Sequence, residues 1–236
     1  MKRTIIYMLL ACLTMTSCEE VTRLLIKQKD KAEANVDYDK YTKEDSTHMT
    51  FKGVPINGPL KMFVKRMEKK GFEYYASSDD PDISLLNDND TARNDRAILY
   101  GDFADYKDCK LYVQTLDTKD VVSKIYVRFP KRDEWKDLHG DYKHLKEMLT
   151  TKYGKASACT EKMYINPLYV TGRIEDRDRM TAVIDNHCNY VTTYTTDKGD
   201  VKLSIERGKY GECFVMLTYS DKINSDIVRK QAIDDL

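Results

Sequence analysis

The chain lacks the short signatures that name a chemistry. No Cys-x-x-Cys pair occurs, and the four histidines, His48, His139, His144 and His187, include no i, i+4 pair of the kind that helix-borne metal ligands form. A zinc site of ordinary spacing is thereby excluded. There is no GxGxxG and no Walker run, so no loop is built to cradle phosphates. Neither GxSxG nor SxxK is present to hold a serine nucleophile. Net charge is absent as well: 39 Lys and Arg stand against 39 Asp and Glu. Such a balance carries no electrostatic footprint for nucleic acid. Beyond residue 13 no apolar run approaches the roughly 20 residues that a membrane-crossing helix needs. Charged residues make up 33% of the chain, yet aromatics reach 10% and tyrosine alone numbers 17. That aromatic content separates it from disordered chains and points to a globular domain with a solvated surface.

What is present begins at the N-terminus. Lys2 and Arg3 precede an apolar stretch from Ile5 to Leu13, the length of a signal-peptide core and too short to span a bilayer. The run Met15-Thr16-Ser17-Cys18 follows. An ordinary secretory signal also ends in small residues, but it has no need of cysteine at the next position. The segment resembles the lipobox of bacterial lipoproteins, with Met15 where leucine is commoner. The resemblance implies that the Cys18 thiol is alkylated with diacylglycerol, that residues 1–17 are removed, and that the new N-terminus is acylated. Each buried CH2 contributes about 0.8 kcal/mol, and two or more chains give stable anchoring where one gives a marginal hold. Loss of Lys2 and Arg3 leaves 37 basic against 39 acidic residues. Glu19 and Glu20 resemble the surface-export signal of Bacteroidota lipoproteins. The expected address is the outer membrane, with the periplasmic face and the cell surface both open.

Six cysteines occur. Cys12 leaves with the signal and Cys18 takes the lipid, so Cys109, Cys159, Cys188 and Cys213 remain. Four cysteines in an exported protein permit two disulfides in three pairings. The alternative is buried free thiols, which pack as small hydrophobes.

Residues 18–48 read as a membrane tether, rich in Lys, Glu and Asp with no glycine or proline. The folded part is expected over 49–236. Leu60, Phe63, Val64 and Met67 recur at i, i+3, i+4 and i+7, which predicts a helix with Asn57 as its N-cap and Gly71 as its stop. Strands are expected over 72–77, 97–103, 109–116 and 121–129. In the last of these Ser123, Ile125, Val127 and Phe129 alternate with Lys124, Tyr126 and Arg128, predicting one covered and one wet face. Trp135, Leu138, Tyr142, Leu145 and Leu149 mark a second helix over 133–153. Further strands are expected over 159–165, 180–185, 186–196, 201–207 and 212–219, then a terminal helix over 224–236 capped by Asn224 or Ser225. Helix then antiparallel strands, twice, is an α+β fold of tandem helix-plus-antiparallel-sheet modules, about 49–130 and 131–236.

This order is similar to the β-lactamase-inhibitor-protein fold. The chain also resembles uncharacterised outer-membrane lipoproteins of Bacteroidota. The residues that carry this are the lipobox, Phe51-Lys52-Gly53-Val54-Pro55-Ile56-Asn57-Gly58, Gly101-Asp102-Phe103 and Lys152-Tyr153-Gly154-Lys155. The resemblance brings no activity with it. Asp45-Ser46-Thr47 and Asp90-Thr91-Ala92 resemble the O-glycan acceptor pattern of that group, which implies Ser46 and Thr91 as acceptors. Tyr112, Tyr126, Tyr190 and Tyr194 lie on expected strands, and those on the wet face are candidates for a binding patch. No catalytic, cofactor or metal residues are expected. The functional expectation is a non-enzymatic lipoprotein that meets the membrane through its lipid and binds a protein or glycan partner, not nucleic acid. An envelope inhibitor or immunity-type protein, and an enzyme with dispersed site residues, are the alternatives.

Overall fold

A computed structural model describes residues 46–75, 96–116, 119–165 and 172–234. A two-stranded ribbon, β1 (Thr50–Phe51) and β2 (Val54–Pro55), leads into helix α1 (Leu60–Glu68). Strands β3 (Glu73–Tyr75), β4 (Arg96–Phe103), β5 (Tyr106–Leu116) and β6 (Lys119–Arg128) follow. Helix α2 (Trp135–Tyr153) begins the second half, with β7 (Ala158–Met163), α3 (Asp176–Ile184), β8 (Cys188–Thr195), β9 (Gly199–Arg207), β10 (Cys213–Asp221) and α4 (Lys222–Asp234). The α+β class and its tandem modules are therefore observed.

One antiparallel sheet holds eight of these strands in the order β3-β4-β5-β6-β10-β9-β8-β7. Each half is a meander of four strands, and the halves join through their last strands. Leu217 pairs with Val127 and Tyr219 with Ile125 at that seam. Alternation then places Val113, Ile125, Leu203, Val215 and Leu217 in one core with Phe63 and Met67 of α1 and Leu138, Tyr142 and Leu145 of α2. All five predicted stripe residues of α2 are buried, because period 3.6 keeps them on one side of the helix. Gly71 and Gly154 stop α1 and α2 with φ of 90° and 80°, a conformation that costs glycine little.

Four expectations are corrected. Residues 180–184 belong to α3, not to a strand. The run Met180-Thr181-Ala182-Val183-Ile184 reads as a strand on composition, but Glu175 and Asp178 form a capping box that starts a helix ahead of it. Asn57 does not cap α1: its Oδ1 accepts from the Gly58 N–H, and Asp120 Oδ1 accepts from the Leu60 N–H at 2.9 Å instead. The terminal helix is capped by Asp221, whose Oδ1 accepts from the Asn224 N–H at 3.0 Å, so neither Asn224 nor Ser225 is its cap.

The fourth correction concerns the far face of the sheet, whose centre on β5, β6 and β10 is covered, while Lys162, Asn189 and Lys202 on β7, β8 and β9 stay exposed. Tyr112, Phe214, Met216 and Arg128 point there and are all buried. Ile98 and Tyr112 form a second cluster with Tyr100 and Tyr126 against it, and the Arg128 guanidinium lies 4.1 Å from the Phe214 ring centroid. Cation–π contact and long aliphatic stems let such side chains shield one another. The expected exposed tyrosine patch therefore does not form. Tyr112 and Tyr194 are buried and Tyr126 and Tyr190 half-buried, with Tyr190 and Tyr194 turned to the helix side.

Candidate binding groove

Beside its buried stripe, α2 carries a second row, His139, Lys143, Lys146 and Thr150, at steps of four, three and four residues. These residues lie on one helix face by the same period. They form one wall of a groove whose floor is β7 and β8, with the His139 ring edge-on to Tyr190 at 5.7 Å and Thr150 Oγ1 sharing a hydrogen bond of 2.8 Å with the Tyr194 hydroxyl. Alternation along β7 turns Cys159, Glu161 and Met163 toward the helix side, where Tyr190 of β8 continues the floor. Toward α3 the groove opens into a recess of about 660 Å³ lined by Trp135, Met163, Ile165, Ile174 and Tyr190 together with Lys136, Asp176 and Arg179. Toward the end of α2 it continues as a more polar space of about 750 Å³. His139, Lys143 and Tyr190 border both. Volumes of this order suit a ligand side chain or small molecule.

Aromatic packing fixes the middle of the wall. The His139 ring stacks on Trp135 at 4.9 Å and 10°, and Tyr190 meets Trp135 edge-on at 5.4 Å. Burial, and then the Lys143 ammonium, push the His139 imidazole below its ordinary range. Further along, Lys146 Nζ donates to Glu161 Oε1 at 2.5 Å and lies 3.3 Å from Cys159 Sγ. The hydrogen bond between them raises the Lys146 ammonium's pKa and lowers that of the Glu161 carboxyl. Beneath, the Tyr142 hydroxyl and Thr192 Oγ1 share a hydrogen bond of 2.6 Å, and burial pushes the Tyr142 phenol up to about 12. The Lys143 and Lys136 ammonium groups form no ion pair among the described residues, while the Lys136 N–H donates to Asp176 Oδ2 at 3.1 Å.

A pH prediction follows from Glu161. Its folded pKa is depressed, so its contribution to stability is present above the ordinary carboxylate range. It is lost as pH falls through the folded value. Thermal melts between pH 7 and pH 3 should show Glu161→Gln losing part of the acid sensitivity of the parent chain. Equal acid sensitivity in both would show that the Lys146 clasp adds nothing to stability.

The cysteines divide by burial. Cys159 is exposed in the groove, Cys188 half-buried, and Cys109 and Cys213 buried; all four are free thiols. Cys188 opens β8 and Cys213 opens β10, with β9 between them. Two strand spacings set them about 10 Å apart, beyond the ~7 Å Cα limit for a disulfide. Burial pushes the Cys109 thiol up to about 12 and those of Cys188 and Cys213 up to about 11. Brief maleimide labelling of the folded protein at pH 7.5 (roughly ten equivalents), mapped by mass spectrometry, is expected to modify Cys159 first of the four. Faster labelling of Cys188 or Cys213 would contradict the burial described.

Of the other residues singled out by sequence, Ser46 lies exposed in a turn, as a modified hydroxyl must. Cys18 and Thr91 lie outside the described residues. The groove itself was not legible in those motifs. Its signal was the second α2 row, four polar residues in register with the core stripe. No group of three or more metal-ligating side chains converges among the described residues, and none of their helices is long and apolar enough to cross a membrane. Compared with protein-family models, curated proteins and solved structures, the chain matches none.

Proposed function

We propose that this chain is a lipid-anchored protein of the bacterial outer membrane that binds a partner in the groove between α2 and β7. The anchor is carried by the lipobox pattern ending at Cys18. The binding role is carried by one observation: a row of α2 side chains and the helix-facing side chains of the terminal strand enclose an aromatic-floored groove, lined by both cations and acids, that the core does not fill. The sheet and α2 hold both walls rigidly, so a ligand meets a preformed surface. Ile174, 41% exposed, leaves part of the recess wall open to a ligand.

The test has two readouts. Mass spectrometry of the N-terminal peptide from native cells should find acyl chains on Cys18, and a photo-crosslinker placed at Thr151 should capture an envelope component that one placed at Lys209 does not. An unacylated Cys18 would make the chain a soluble exported protein. Equal capture from both positions would remove the groove as the binding site. An enzymatic reading draws on the convergence of Cys159, Lys146 and Glu161 in the same groove. Under the binding reading, Cys159→Ala retains the captured component unchanged; under the enzymatic one, an unprocessed substrate accumulates in the groove.

A further inference from the structure

We propose that the outer face of α1 lies against anionic lipid headgroups of the membrane that holds Cys18, so that the folded domain meets the bilayer in one orientation. This rests on the lipid-anchor reading and not on the groove.

Charge is concentrated at this helix. Over 60–70, Lys61, Lys65, Arg66, Lys69 and Lys70 stand against Glu68 alone. The rest of the chain holds 34 basic against 38 acidic residues. The other described helices are close to balance: four lysines against three acids in α2, two cations against two acids in α3, and three against two in α4. A chain that is neutral overall thus has a positive pole at α1, and such a pole turns toward an anionic surface.

Helix period decides where the pole points. Phe63 and Met67 are buried against the sheet. Lys61, Lys65 and Lys69 recur every four residues on the opposite side and are exposed, with Lys70 exposed and Arg66 half-buried beside them. A rise of about 1.5 Å per residue strings the three lysines over about 12 Å. Acids on the neighbouring strands do not cancel the row. Asp120 accepts from the Leu60 N–H at 2.9 Å and follows Lys119 in β6. Glu73 alternates with Tyr74, which borders α1, and Asp102 alternates with Phe103, which packs in the core. Both carboxylates therefore turn to the far face of the sheet.

The chain enters the folded part beside the same helix. The Ile56 N–H donates to the Met49 carbonyl at 2.7 Å, and Leu60 opens α1 four residues later. Entry point and helix start thus lie within about 15 Å. From Cys18 to His48 the chain runs 30 residues, which reach at most about 100 Å. An anchor at Cys18 holds α1 within that reach of the bilayer, which raises the effective concentration of a weak surface contact. Each cation brought to an anionic surface adds about fivefold to the association, and a lipid chain with a basic patch is a common two-part anchor.

The test places the purified lipidated chain in vesicles of phosphatidylcholine alone, or with about a third phosphatidylglycerol, and follows acetylation of each lysine by mass spectrometry. In the anionic vesicles at about 50 mM salt, Lys61, Lys65 and Lys69 should react about threefold or more slowly than in the neutral ones. Lys162 and Lys202, exposed on the far face, should react alike in both. Salt at about 1 M, where screening acts within about 3 Å, should abolish the protection. Lys65→Glu with Lys69→Glu should abolish it at Lys61 too, and Lys65→Gln with Lys69→Gln replaces that pair should the reversal fail to fold. Equal rates in neutral and anionic vesicles overturn the proposal, as does equal protection of Lys61 and Lys202. An unacylated Cys18 counts against the anchor alone. The chain mixed with saturating anionic vesicles should then still protect Lys61, Lys65 and Lys69, and loss of that protection overturns the proposal as well.

Discussion

Asp221→Ala is expected to lower stability by about 3–5 kcal/mol, the usual cost of stripping one partner from a buried charged cluster. Asp221 is wholly buried. Its carboxylate accepts from His48 Nδ1 at 2.9 Å, the Met49 N–H at 2.8 Å and the Asn224 N–H at 3.0 Å. One side chain thus ties the start of the folded domain to the last strand and to the cap of α4. Asn224 extends the tie, donating through Nδ2 to the carbonyls of Ile56 and Val122 at 3.1 and 3.0 Å. Alanine leaves two backbone N–H groups and an imidazole buried without their acceptor. Asn keeps the shape and one acceptor oxygen, so Asp221→Asn should cost about 1–3 kcal/mol. Urea melts give both values through the midpoint at constant slope. An alanine variant within 1 kcal/mol of the parent (roughly the net worth of one ordinary hydrogen bond) would show that the carboxylate's attractions only balance its burial.

Gly199→Ala is expected to be comparably severe, about 2–6 kcal/mol, from overpacking and backbone strain of about 1–3 kcal/mol each. Gly199 has φ of 144°, and a Cβ there would stand 2.1 Å from the Ser220 carbonyl oxygen and 3.0 Å from the Lys222 nitrogen. Both obstacles are backbone atoms, so no rotamer change relieves them. Gly199 is also the partner of Asp221 across the ladder. The two substitutions damage one corner, where β9, β10 and α4 meet. The double variant should therefore lose less than the sum of the single losses. Full additivity would mean that the corner is two independent contacts.

Period 3.6 was legible wherever a helix lies on the sheet by a continuous stripe, as in α2 with Trp135, Leu138, Tyr142, Leu145 and Leu149. α3 was misread because its stripe is short, and its start is marked by a Glu175–Asp178 capping box rather than by Ser, Thr or Asn. The caps of α1 and α4 were misplaced for a related reason. Asp120 lies 60 residues from the N–H it caps, and Asp221 ends a strand. The far sheet face was misread because Lys124, Tyr126 and Arg128 look solvent-bound in a polar/apolar alternation, while Arg128 in fact lies on Phe214. In the groove, the spacing of His139, Lys143, Lys146 and Thr150 was visible from the start. What that row faces depended on where β7 lies.

By itself, then, the sequence determined the local elements and their tandem order, because helix and strand periods are set by near neighbours along the chain. Only the tertiary structure decided that β6 joins β10, which leaves β7 and β3 as the two edges of one sheet. That choice also brings His48 to Asp221 across 173 residues and lays the second row of α2 beside the strand that ends the sheet among the described residues. Such pairings follow from burying one continuous apolar face across both halves, a requirement of the whole chain that no window of sequence contains.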